Sequence, residues 1–294
     1  MAFTPIFNSF QQKPLSQYFR GGSLVSFQTM LRDQLTIPTW LMVGALLQGL
    51  FSFLPYRNIS LVAPVALVIL YKTVAAMLQT VGVLKNPYLE GTMGQRTAIM
   101  YANEHGHYEN PGDREVCAIM LASRSNHPLG MFAPGVKDVG DRFKAMVSEL
   151  ESDPTAHGFL GASTWLNSGD RGYTSETMVF IYFASMHHLH EYSHGKMHTE
   201  TMQWWQANLH RLRHLGIMHE VFAAPKHASE GVYINYHPTG LGATFTEAEV
   251  DGEKVWVSPL VEGKGKMRYS KGRMGRQFSE EKEWAAFEEA FVDV

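Results

Sequence analysis

Two long apolar stretches near the N-terminus constrain this chain more than any other feature of it. Residues 37–54 carry no charge, and residues 59–84 carry only Lys72. Pro55-Tyr56-Arg57-Asn58 separates them, a connection short enough to make the two stretches an antiparallel pair. A membrane span takes about 20 apolar residues, so residues 37–84 are expected to form a helical hairpin that anchors the chain in a membrane. Lys72 would cost about 2.5–3.5 kcal/mol at a bilayer centre. A hairpin dipping into one leaflet avoids that cost, and two helices buried in a soluble core are the competing account. Lys13, Arg20 and Arg32 precede the hairpin and Lys85 and Arg96 follow it, against Arg57 alone in the turn. The positive-inside bias then leaves both flanks on the cytoplasmic side, with the endoplasmic reticulum as the expected membrane.

Composition removes two classes of function. A net charge of -3 with 18% charged residues and no basic block excludes nucleic acid as the main partner. The single cysteine, Cys117, excludes an internal disulfide framework and reads as a small buried apolar side chain.

Residues 1–36 read as a separate N-terminal segment and residues 85–111 as a linker. Beyond them, residues 116–122 (VCAIMLA), 159–166 (FLGASTWL), 178–184 (MVFIYFA) and 217–223 (IMHEVFA) are apolar runs of strand type, and residues 232–236 are a further candidate. Val139, Phe143, Met146, Val147 and Leu150 recur at helical spacing and close at Asp153-Pro154. Residues 187–215 read as one long helix ending before Gly216, and residues 167–172 (NSGDRG) as a turn between the middle strands. The order β-α-β-β-α-β predicts an α+β, ferredoxin-like domain over residues 112–242. Residues 243–294 are left as a C-terminal extension of surface loop and a terminal helix.

Eight of the 14 histidines fall between positions 187 and 219. Among them, His190-Glu191-Tyr192-Ser193-His194 is a literal H-E-x-x-H, the pattern by which a helix offers two imidazoles and a carboxylate to zinc. A catalytic zinc needs three protein ligands and an open position. The residue three beyond His194 is Met197, so the extended pattern with a third histidine fails and Glu220 is the candidate ligand. A membrane-tethered zinc metallopeptidase using His190, Glu191 and His194 is therefore the alternative function. More broadly, His187, His190, His194 and His198 fall at spacings of three, four and four, with Met202 and Trp205 near the same stripe. Such a face is either a polar surface that uses histidine, or a pocket wall where imidazoles relay protons or hold haem iron.

Three stretches carry a family resemblance: residues 118–135 with their R-S-N-H-P-L-G segment, residues 178–185 leading into the histidine-rich helix, and Gly216-Ile217-Met218-His219-Glu220. They resemble the fungal secondary-metabolite-cluster monooxygenases related to antibiotic-biosynthesis monooxygenases, of the fumagillin-cluster type. The resemblance implies a dimeric α+β barrel, an N-terminal hydrophobic hairpin and oxygenase activity on a hydrophobic polyketide or terpenoid intermediate, with O2 as co-substrate and a homodimer as the assembly. It also implies site roles. Arg124 and Asn126 would hold an enolate or carboxylate oxygen, and His198 or His219 would be the base. His219 is expected to point into the barrel, with Glu220 outward or at the dimer interface. No cofactor is required if the substrate carbanion reduces O2 itself; if haem is used, His198 or His194 is its ligand.

Overall fold

The computed structural model describes residues 3–19, 28, 32, 36–166 and 175–276. The turn expected over 167–172 and the terminal helix expected beyond 276 lie outside the described residues. The chain divides into two units, residues 23–92 and residues 1–22 together with 93–294.

The smaller unit is the apolar hairpin. Helix α1 is Ile37–Phe51 and α2 is Arg57–Thr80. The Thr36 hydroxyl caps α1 by accepting from the Thr39 amide, and Pro38 occupies the first turn, where its missing N–H costs nothing. Gln48 of α1 donates its side-chain amide to the Leu61 carbonyl of α2, which ties the two helices together. No residue of either helix is buried. At 24 residues and a mean hydropathy of 2.1, α2 is long and apolar enough to cross a bilayer. At 15 residues, α1 is shorter than a span. The apolar run over 37–54 thus ends its helix early, at Phe51, because residues 52–56 are spent on the turn.

The larger unit contains a four-stranded antiparallel sheet with helices on one face. Strand β1 (Thr97–Ile99) comes first, then β2 (Val116–Ser125), helix α3 (Val136–Ser152), β3 (Phe159–Leu166) and β4 (Ser175–Phe183). Helices α4 (Met186–Ser193) and α5 (Lys196–Asn208) follow, then β5 (Leu215–Ala224). The sheet order is β3-β4-β2-β5. The first and last strands of the β-α-β-β-α-β series are neighbours, and β5 is an edge. Cys117, Ile119 and Leu121 of β2, Val179, Ile181 and Phe183 of β4, and Val221 of β5 all pack against Phe143, Val147 and Leu150 of α3 and Leu189 of α4. Alternation puts the residues between them on the opposite, open face. The single helix expected over 187–215 is two, interrupted at His194–Gly195 and finished at Asn208.

The expected linker and C-terminal extension build a second, smaller region together. Strand β1 pairs with β6 (Val232–Tyr233) and with β9 (Leu260–Glu262), while β7 (Thr246–Val250) and β8 (Glu253–Val257) form a hairpin. Met100, Tyr108, Val255, Val257, Val261 and Met267 form its core, and the short helix α6 (Ser270–Arg273) closes it. The N-terminal residues pack here too, the Ile6 amide bonding to Leu260 O. Lys13 forms a buried 2.6 Å ion pair with Glu151 of α3. Local periodicity could not announce this region, because its strands are two to five residues long and β1 meets partners more than a hundred positions away.

Candidate functional site

Register decides which candidate residues share a face. His219 lies directly opposite Leu121, and opposed residues of paired strands project to the same side. Since Leu121 packs under the helices, His219 is on the helix-covered face. Glu220 lies opposite Met120 and is therefore on the open face. His219 and Glu220 therefore part, as alternation along β5 requires; the parity is set by Cys117, Ile119 and Leu121 filling the space beneath α3 and α4.

On that helix-covered side, at the β5 edge, His198 of α5 and His219 come close enough to interact electrostatically. Met202 and Trp205 lie four and seven residues beyond His198, on the same face of α5. Ile217, two residues before His219, adds an exposed apolar side chain from the strand. Half-buried His198 and exposed His219 thus stand beside apolar side chains at the β5 edge. Burial is the main influence on His198 and holds its pKa below the usual 6.5; His219 and His194 push the same way, and a bond to the Ser193 carbonyl opposes them. A histidine so placed is neutral at neutral pH and has a lone pair to accept a proton.

One residue that sequence reasoning missed supports this site from behind. The Tyr192 ring is held edge-on between His157, at 5.6 Å, and His198, at 6.4 Å. Its hydroxyl donates to the Met146 carbonyl at 3.0 Å. Burial raises its pKa strongly, with the Glu149 carboxylate adding to the effect. Tyr192 is an unspecified position of the H-E-x-x-H pattern, yet it is the member of that pentapeptide packed into the core.

The pattern's named residues point elsewhere. His190, Glu191 and His194 are exposed. Glu191 pairs with His187 at 3.3 Å, and His194 caps the end of α4 with its Nδ1 2.7 Å from the His190 carbonyl. Glu220, the candidate third ligand, is on the far face of the sheet. Among the described residues no three His, Cys, Asp or Glu side chains are grouped to hold a metal. The four-histidine face is likewise divided, because the break after α4 leaves His198 on a different helix from His187 and His190.

Arg124 and Asn126 are not brought to the histidines. Arg124 lies opposite Glu176, on the open face, with its guanidinium 3.7 Å from that carboxylate. Asn126 is exposed just past the end of β2, its backbone amide bonded to His214 O at 2.8 Å. It opens the turn in which His127 Nδ1 accepts from the Leu129 amide. Cys117 is fully buried beside Met186, and burial raises its thiol pKa. A separate groove of about 440 Å³ lies between α3 and the neighbouring face of α5, where Arg142 stacks on Trp204 at 4.3 Å above Met197 and Thr201.

Comparison with known proteins adds a family to this geometry. Residues 116–241, the four-stranded sheet with its helices and the strand that follows, match the family described as Monooxygenase af470-like. Monooxygenase af470 of Aspergillus fumigatus is 30% identical over 260 residues, covering 87% of this chain and 92% of that protein. Among solved structures, an aldoxime dehydratase in complex with butyraldoxime aligns with 50% of this chain and 39% of its own, at 15% identity and a TM-score of 0.37. SnoaB of Streptomyces nogalater, a cofactor-independent oxygenase, aligns with 38% of this chain and 95% of its own, at 10% identity and a TM-score of 0.27.

Proposed function

The chain belongs to the af470-like monooxygenases, a fungal family of oxidoreductases, and on that premise we propose that it oxidises a hydrophobic small molecule at the edge where α5 meets the side of β5 that carries His219. The substrate class is a polyketide or terpenoid intermediate of secondary metabolism. The observation that carries the reading is the partly desolvated His198 imidazole, within electrostatic reach of His219 at the β5 edge. His198 takes a proton from an activated substrate carbon, and imidazole suits that task because it titrates near working pH. The substrate carbanion then reduces O2, and a CH2 group becomes a carbonyl with the second oxygen leaving as water. His219 carries the developing charge, and Met202, Trp205 and Ile217 bind the apolar body of the substrate.

The membrane and the dimer belong to the same proposal. The apolar helices α1 and α2, neither of which buries a residue, support anchoring in a bilayer, where a hydrophobic substrate also partitions. Because α1 is short of a span, the pair enters one leaflet more readily than it crosses both. Exposed Trp165, Met218 and Phe222 on the open sheet face support pairing with a second copy, as in a dimeric α+β barrel.

The substrate for a test is the intermediate that accumulates when the gene is deleted. Purified full-length protein in detergent is expected to take up O2 with that compound, and His198→Ala to lower the rate by about 10²–10⁴-fold. Undiminished uptake by His198→Ala refutes the assigned base. A Soret band in the purified protein gives His198 to haem instead, and recovery of the intact chain in a detergent-free soluble fraction removes the anchor.

A further inference from the structure

Gly195 has no assigned role, yet it stands where the expected helix fails. Helix α4 ends at Ser193, His194 caps it, and Gly195 is extended at φ −65°, ψ 162° before α5 begins at Lys196. His198 is thereby the third residue of a new 13-residue helix, instead of an interior residue of a long one. The first backbone bond of α5 runs from the Thr199 amide to Gly195 O. The amides of Lys196, Met197 and His198 therefore have no acceptor within the helix. Such an end carries about half a positive charge, which repels a cation in the first turn.

Of the other groups facing His198, the Ser193 carbonyl opposes that effect and the imidazoles add to it. Those groups are His219 from β5, His194 and the Ser193 carbonyl from the break, and the Tyr192 ring from α4. Glu149 of α3 reaches Tyr192, and on α5 itself Lys196 and Glu200 pair with each other. A Cβ on Gly195 would lie 3.0 Å from the Tyr192 carbonyl oxygen, so a side chain crowds the broken conformation. Alanine also favours helix over glycine at this position.

We propose that Gly195 is a positioning residue: its bare backbone holds the break between α4 and α5, and the break adds to burial in disfavouring protonation of His198 by setting it in a helix's first turn. The inference rests on the reading of His198 as the base, and it deepens that reading.

The test follows His198 by NMR in histidine-labelled full-length protein in detergent, with the resonance assigned by His198→Gln. Gly195→Ala is expected to raise the titration midpoint by about half a pH unit and to move the acid limb of the pH–rate profile equally. Lys196→Pro enforces the break, since proline suits a first helical position and not an interior one. It is expected to leave the midpoint unchanged and, added to Gly195→Ala, to restore it. An unchanged midpoint in Gly195→Ala overturns the proposal. A raised midpoint in Lys196→Pro does so as well, and that arm decides the matter if Gly195→Ala does not fold. A raised midpoint with an unmoved acid limb upholds the device and instead removes His198 as the catalytic base.

Discussion

The two faces of the four-stranded sheet use the same strands for opposite ends. Beneath the helices the strands present Ile119, Val179, Ile181 and Phe183 to the core, and at the β5 edge the same face carries His219, which interacts electrostatically with His198. On the open face they present Met120, Phe180 and Phe222 alongside Glu220 and the Arg124–Glu176 pair. Half-buried His198 loses hydration, and burial holds its pKa down. The Arg124–Glu176 pair on the open side keeps contact with water. The proposed base and the proposed pairing surface are thus separated by a single residue step along each strand.

That contrast can be broken most severely through the covered core. Leu150 of α3 is fully buried among the helix-facing side chains, and Leu150→Ala should cost about 2–5 kcal/mol in denaturant unfolding. Next in size is the open face. Phe222→Glu places a carboxylate in its exposed apolar patch, and sedimentation should show association weakened by roughly tenfold or more, with turnover per chain retained. Turnover lost together with the dimer would mean that the open face shapes the site.

A smaller effect separates the faces by pH. Burial holds His198 below its ordinary 6.5. The unfolded chain therefore takes up the proton first as pH falls. The contribution of His198 to stability is complete above about pH 6.5 and declines as pH drops towards the folded value. Thermal melts should weaken through that window, and substitution of His198 by Asn should flatten the slope there. The smallest effect expected is at the zinc-like pattern. Glu191→Gln on the exposed side of α4 should leave oxygenase turnover within about twofold, whereas a peptidase would be abolished.

The elements of the sheet were legible because each apolar run does one job. Residues 159–166 form a strand over the full stretch expected, and the helix at Val136–Ser152 follows its apolar spacing closely. The break at Gly195 was not legible, since a lone glycine in a helix costs only about 1 kcal/mol and tertiary contacts decide the outcome. For the same reason His198 looked like the continuation of one histidine face. Alternation along β5 showed that His219 and Glu220 must part, but which of them meets the helices depended on the register with β2. The regions flanking the matched domain were read as linker and loop because β1 finds its partners only in β6 and β9.

The account stands or falls on the covered face carrying the chemistry. The most direct measurement is O2 uptake with the accumulated intermediate by His198→Ala and Glu220→Ala, prepared side by side as folded full-length protein. The account predicts a loss of about 10²–10⁴-fold for His198→Ala and a rate near the parent for Glu220→Ala. A Glu220→Ala enzyme as impaired as His198→Ala, or a His198→Ala enzyme at full rate, would contradict it.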